Sequence, residues 1–131
     1  MNSSFKKEFS NFTGAGVRIG IIDSGYVKGK RDINIAKGIN LLSNSNNNDY
    51  TDKIGHGTAC AGIISKKAPD VLIYPVKIFE NELESDINKL SAAINWCIEN
   101  KLHLINLSSG TTEESNKKQL KQICRNQIFS Y

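Results

Sequence analysis

Val71-Leu72-Ile73-Tyr74-Pro75-Val76-Lys77-Ile78 and Leu102-His103-Leu104-Ile105-Asn106-Leu107 are two short apolar runs, and between them Ile87, Leu90, Ala93, Ile94, Cys97 and Ile98 recur at helical spacing. The order is strand, helix, strand, with a crossover long enough for the two strands to pair in parallel, which favours a layered α/β fold. Ser85 can cap the start of the helix and Asn100 can close its end. Pro75 has no N–H for a ladder, so the first of these strands should lie at an edge or carry a local break.

Towards the N-terminus, Val17-Arg18-Ile19-Gly20-Ile21-Ile22 reads as a third buried strand, stopping at the polar turn Asp23-Ser24-Gly25. Ile33-Asn34-Ile35 through Leu41-Leu42 can add a shorter one, and Ser43 to Asn48 reads as a surface loop. All ten glycines and both prolines fall between Gly14 and Gly110. Residues 111–131 have neither and read as one helix that runs to the end, with Thr111 and Glu114 as a capping box and Leu120, Ile123, Cys124 and Ile128 as an apolar stripe. Residues 1–13 are polar with scattered aromatics. The expected organisation is an arm or short helix over 1–13 and a domain over 14–131.

The chain has 131 residues, of which 39% are hydrophobic and 23% charged. That is the balance of a soluble globular domain, long enough to bury roughly two thirds of the surface its unfolded form exposes. No apolar run approaches the ~20 residues of a membrane span. The first ten residues carry charges with no apolar stretch after them, unlike a secretory signal. The net charge of +4 comes from single or paired basic residues such as Lys6-Lys7, Lys66-Lys67 and Lys117-Lys118. Without a longer basic run or interleaved aromatics these read as solvated surface and not as a nucleic-acid or membrane patch. Cys60, Cys97 and Cys124 are odd in number and form no C-x-x-C pair, so they read as small buried thiols in a reducing compartment. With the missing signal, this gives a cytoplasmic expectation.

Two positions could carry chemistry. Asp23 follows a hydrophobic strand directly, which places its carboxylate at the carboxyl end of a sheet, where sites form in open α/β folds; turn-capping by Asp is the plain alternative. His56 sits between Gly55 and Gly57 at the start of a small-residue helix, Thr58-Ala59-Cys60-Ala61-Gly62. The glycines allow close approach of other backbone, and a helix start disfavours the charged imidazole, which suits a neutral base. His103, inside an apolar strand without glycines, reads as structural. Gly14-Ala15-Gly16 precedes its strand, whereas a dinucleotide loop follows one.

Together these segments resemble the subtilisin-like (subtilase) serine peptidases, from Gly14 nearly to the C-terminus. Ile21-Ile22-Asp23-Ser24-Gly25 is similar to the family's aspartate motif, and Gly55-His56-Gly57-Thr58-Ala59-Cys60-Ala61-Gly62 to its histidine motif. Leu72 to Lys77 is similar to the next strand. Ala93 to Ile98, leading to Leu104-Ile105-Asn106-Leu107-Ser108-Ser109-Gly110, is similar to the central helix and substrate strand. The resemblance implies a three-layer α/β/α fold with a mainly parallel sheet, here truncated, and acyl transfer with His56 as base and Asp23 fixing its tautomer. It implies a polypeptide substrate held by Ser108, Ser109 and Gly110, and no cofactor. Calcium is common in the family, but Ser65 to Asp70 is short and basic, so no metal site is assigned. Asp49 and Asp52, near the Asn-rich loop, could supply oxygens but read as solvated.

The family's nucleophile lies in a Gly-Thr-Ser segment beyond a further strand. Here the Gly-Thr pairs are Gly57-Thr58 and Gly110-Thr111, neither followed by Ser. The chain is therefore expected to be inactive alone, as a gene fragment, as one half of a split enzyme completed by a second chain, or as a pseudopeptidase that binds peptides or a protein partner. One flank of the Leu102–Leu107 strand should be left unpaired, with apolar surface uncovered. Glu80, Glu82 and Glu84 would either favour basic peptides or complement a helix dipole.

Overall fold

Alternation along β1 (Arg18–Asp23) sends Ile19, Ile21 and Asp23 to one face of a sheet and Gly20 and Ile22 to the other. The computed structural model describes residues 9–42, 46–108 and 114–128, with side chains as far as Arg125 in the last helix. Its sheet contains β1, β2 (Ile39–Asn40), β3 (Leu72–Lys77) and β4 (Leu104–Leu107) in the order β2-β3-β1-β4. Every pairing is parallel, with Arg18 opposite Leu72 and Ile19 opposite Leu104.

Helices cover both faces, as parallel strands require. Helix α1 (His56–Lys67) packs Ala61, Cys60 and Ile64 onto Ile19, Ile21, Val71 and Ile73. On the other face α2 (Ile87–Glu99) brings Ala93, Ile94 and Cys97 against Ile22, Tyr74 and Val76. Leu120 and Ile123 of α3 (Glu114–Ile128) close over the rim of that cluster. Ile22, Ile73 and Val76 are fully buried, each contributing about 1.5–3 kcal/mol of apolar transfer. The fold is the α/β arrangement expected.

Several local expectations change. β3 is interior, not an edge, and the break anticipated at Pro75 falls on its neighbour. The N–H of Ile73 reaches Asn34 and its carbonyl receives Ala36, while the Lys77 carbonyl receives Leu41. Pro75 faces the same side between these points, where the partner strand is reduced to a bridge at Ile35 and the two residues of β2. Asp86, not Ser85, caps α2, its side chain accepting the Lys89 N–H at 2.8 Å. Asn100 closes that helix as expected, donating from its amide to the Trp96 carbonyl. Glu80 pairs with Lys53 at 2.5 Å, and the first turn of α2 contains no acidic residue. Of the thiols Cys97 is buried, Cys60 half-buried and Cys124 exposed, so the uniform expectation of buried cysteines is corrected.

His103 is structural: its Nδ1 accepts the Arg18 N–H at 2.9 Å, extending the β1–β4 ladder by one step. Residues 9–11 form a turn. The rest of the proposed arm, and Thr111 of the capping box, lie outside the described residues. Leu104 is 56% exposed, and β4 pairs only with β1 among the described residues. No helix among them is long and apolar enough to cross a membrane.

Candidate active site

Asp23 ends β1 on the face that α1 covers, and the turn after it is tightly held. Its carbonyl accepts the N–H groups of Ile78 and Phe79, and its Oδ1 accepts the Ser24 N–H at 2.7 Å. Gly25 completes the turn with φ +109°, and a Cβ there would run into the Tyr50 carbonyl, so only glycine serves. The carboxylate is 1% exposed and lies 2.9 and 2.8 Å from His56 Nδ1 through its two oxygens. The His56 side chain is 38% exposed. A carboxylate can only accept, so Nδ1 carries the proton and, in the neutral ring, Nε2 carries the lone pair.

The position of His56 depends on how α1 begins. Its N-cap, Gly55, has no side chain to satisfy the first N–H groups, and residues elsewhere do so. Ser24 Oγ accepts the Gly57 N–H at 2.9 Å. Asp52 accepts the N–H groups of Ile54, Gly55 and Thr58 at 2.8–3.0 Å and the Thr58 hydroxyl at 2.5 Å. Burial opposes ionisation of Asp52, but the hydrogen bonds from Thr58, Gly55 and Ser24 outweigh it and hold the pKa at about 2. Gly57 lets the helix touch the turn, since a Cβ there would meet the Gly25 carbonyl. Asp52 is thus a buried helix cap and not the solvated loop residue expected. With its oxygens engaged by these donors, it is a poor partner for calcium.

Of the substrate residues expected, Ser108 lies at the same end of the sheet, its Oγ 4.0 Å from Cys60 Sγ and 3.2 Å from the Asn106 amide. Ser109 and Gly110 lie outside the described residues. Cys60 Sγ is 3.9 Å from His56 Nδ1, the nitrogen already engaged by Asp23, so the thiol does not replace a serine at Nε2. Beneath the site Lys77 is 2% exposed, donating to the Thr51 carbonyl and lying 3.8 Å from Glu80. It anchors the segment that carries Asp52. Sequence reasoning missed Asp52 as a cap, because the donors that it holds are set by where the helix begins. It also missed Lys77, whose buried amine has no local signal.

With this geometry in view, comparison with protein families matches residues 14–130 to the Subtilase family. The chain belongs to the subtilase family. Minor extracellular protease Epr of Bacillus subtilis is 36% identical over 115 residues, spanning 81% of this chain and 17% of that protein. Subtilisin DY of Bacillus licheniformis is 30% identical over 114 residues, 80% of this chain and 41% of that one. Among solved structures, a lanthipeptide protease superposes with a TM-score of 0.74 at 25% identity, covering 93% of this chain and 38% of its own. A cold adapted subtilisin-like serine proteinase gives the same TM-score at 24% identity, over 90% and 44%. This subtilase chain therefore spans less than half the length of each of these relatives.

Proposed function

We propose that this chain supplies the acid and base of a serine endopeptidase, with the nucleophilic serine coming from sequence outside these 131 residues. The observation that carries the reading is the buried Asp23 carboxylate held 2.8 Å from His56 Nδ1. That contact fixes the tautomer that leaves Nε2 free to take the serine proton and return it to the leaving amine. Asp23 then stabilises the imidazolium without itself taking the proton. Ser108, Ser109 and Gly110 would hold an extended polypeptide through their backbone groups. Acid, base and nucleophile are all side chains, so the chemistry asks for no cofactor.

Alone, the chain offers His56 nothing to activate, and loss of one triad member removes most of the unit's catalysis. A serine-directed fluorophosphonate probe should leave the purified 131-residue chain unlabelled; stoichiometric labelling would overturn the reading. The coding DNA beyond the Tyr131 codon, or a second gene whose product co-purifies, should encode an Asn-bearing strand and a Gly-Thr-Ser helix. If neither does, the chain is a peptide- or protein-binding pseudopeptidase.

A further inference from the structure

Lys77 ends β3 directly opposite Asp23 on β1, and it is 2% exposed. Taking a lysine amine out of water is costly, and an apolar side chain of the same length would fill the space with less penalty. The amine donates to the Thr51 carbonyl and stands 3.8 Å from Glu80. With His56 taken as the base, as proposed above, we infer that Lys77 is a positioning residue for its ring, acting through the Thr51–Asp52 peptide.

The carbonyl of Thr51 and the N–H of Asp52 belong to one planar peptide group. Holding the carbonyl therefore fixes the plane from which Asp52 leaves, and with it the direction of a carboxylate that takes the N–H groups of Ile54, Gly55 and Thr58. Those donors lie around the start of α1, whose N-cap Gly55 has no side chain to hold them. His56 is the first residue of that helix, so fraying of the turn reaches its ring before the rest of α1.

The same stretch of β3 also holds the other member of the pair. The two residues after Lys77, Ile78 and Phe79, give their N–H groups to the Asp23 carbonyl. One side chain thus ties the strand end that holds Asp23 to the loop that starts the His56 helix, and the 2.8 Å between carboxylate and ring depends on both. Glu80 supports the amine from the side. One of its oxygens stands 3.8 Å from Lys77 and the other 2.5 Å from Lys53, on the same loop as Thr51. Lys53 is 60% exposed, so this outer pair is the weaker tie.

Nitrogen-15 spectra of the imidazoles test this in the 131-residue chain, whether or not that chain takes part in hydrolysis. The sequence has two histidines, and His103, bonded to Arg18 beside the β1–β4 ladder, serves as internal reference. Lys77→Met keeps the length of the side chain and removes its donor and charge. The His56 ring should then lose its single tautomer, and its Nδ1–H should exchange with water about tenfold faster or more, the weight of one charge-assisted hydrogen bond. The His103 signals should stay in place. Glu80→Gln should move the His56 signal in the same sense by a smaller amount, and Lys89→Met, which breaks a pair with Asp86, should move neither. A folded Lys77→Met chain with the parent His56 signal would overturn the inference, as would equal movement of both histidines, the mark of a general loosening. Where circular dichroism shows Lys77→Met unfolded, Glu80→Gln decides, and an unmoved His56 signal there overturns it too. The two readings fail separately: fluorophosphonate labelling bears on His56 as base, and the ring signals bear on Lys77.

Discussion

Asp23 and Asp52 are both buried carboxylates, yet they do different work. Asp23 meets one imidazole, so Asp23→Asn should leave the fold intact while allowing the wrong histidine tautomer. In the enzyme completed by its serine segment, kcat should fall by about 10⁴-fold, with little change in KM, as steady-state kinetics would show. Asp52 serves the helix. Its folded pKa of about 2 lies below the unfolded 3.8, so its ionised form stabilises the native state above pH 3.8, and that contribution disappears as pH falls from about 4 to about 2. The shift corresponds to about 2 kcal/mol. Asp52→Asn should lower stability at pH 7 by about this amount and flatten its decline below pH 4, as urea melts at pH 7 and pH 3 would show. The thiols differ in the same residue-by-residue way. Burial pushes Cys97 up to about 12, and burial followed by the Asp23 charge raises Cys60. A disulfide reagent at neutral pH should label Cys124 first, Cys60 slowly, and Cys97 only on unfolding. Asp23 and His56 were legible in the sequence because strand end and glycine flanks are local signals. Asp52 was not, because its partners are set by where a helix begins.

At the scale of elements, α1 is the part most tightly specified. Its first turn is held by Ser24 and Asp52 from two different loops, and Gly57 permits the approach. Gly57→Ala should cost about 1–3 kcal/mol through overpacking against the Gly25 carbonyl, a backbone atom with little room to yield. A lowered melting temperature and an altered His56 ring signal would report it, and an unchanged ring signal would show that the helix does not need that contact. Most elements could be read from hydrophobic period alone, β1 and α2 most clearly, because each buries a regular face. The short strand expected within Ile33 to Leu42 is present as β2, but side-chain pattern does not set its bounds, since its two residues are simply those in register with Val76 and Lys77. Ser85 and Asp86 show the same limit, since both can cap and only the path of the chain decides between them.

For the whole molecule, the order of strands matters more than their number. Among the described residues β4 offers its outer flank and the exposed side chains of Leu104 and Ile105, a template for pairing with other chains. The isolated chain should self-associate, and replacing both residues with Lys should shift its sedimentation towards monomer; a parent chain that is monomeric at high concentration would remove this expectation. The parallel sheet itself was foreseeable from the strand–helix–strand order, whereas the central place of β1 was not evident from the residues themselves. That placement has a consequence in time. During synthesis β1 is made before the other strands, and β4 follows 85 residues later, a delay of roughly 4–17 s at ordinary elongation rates. Before then β1 can pair only with β3, itself about 50 residues on, so no pairing of β1 is local in sequence. The central strand of the sheet is thus made first and paired last, and folding of this sheet has to wait for the chain that follows it.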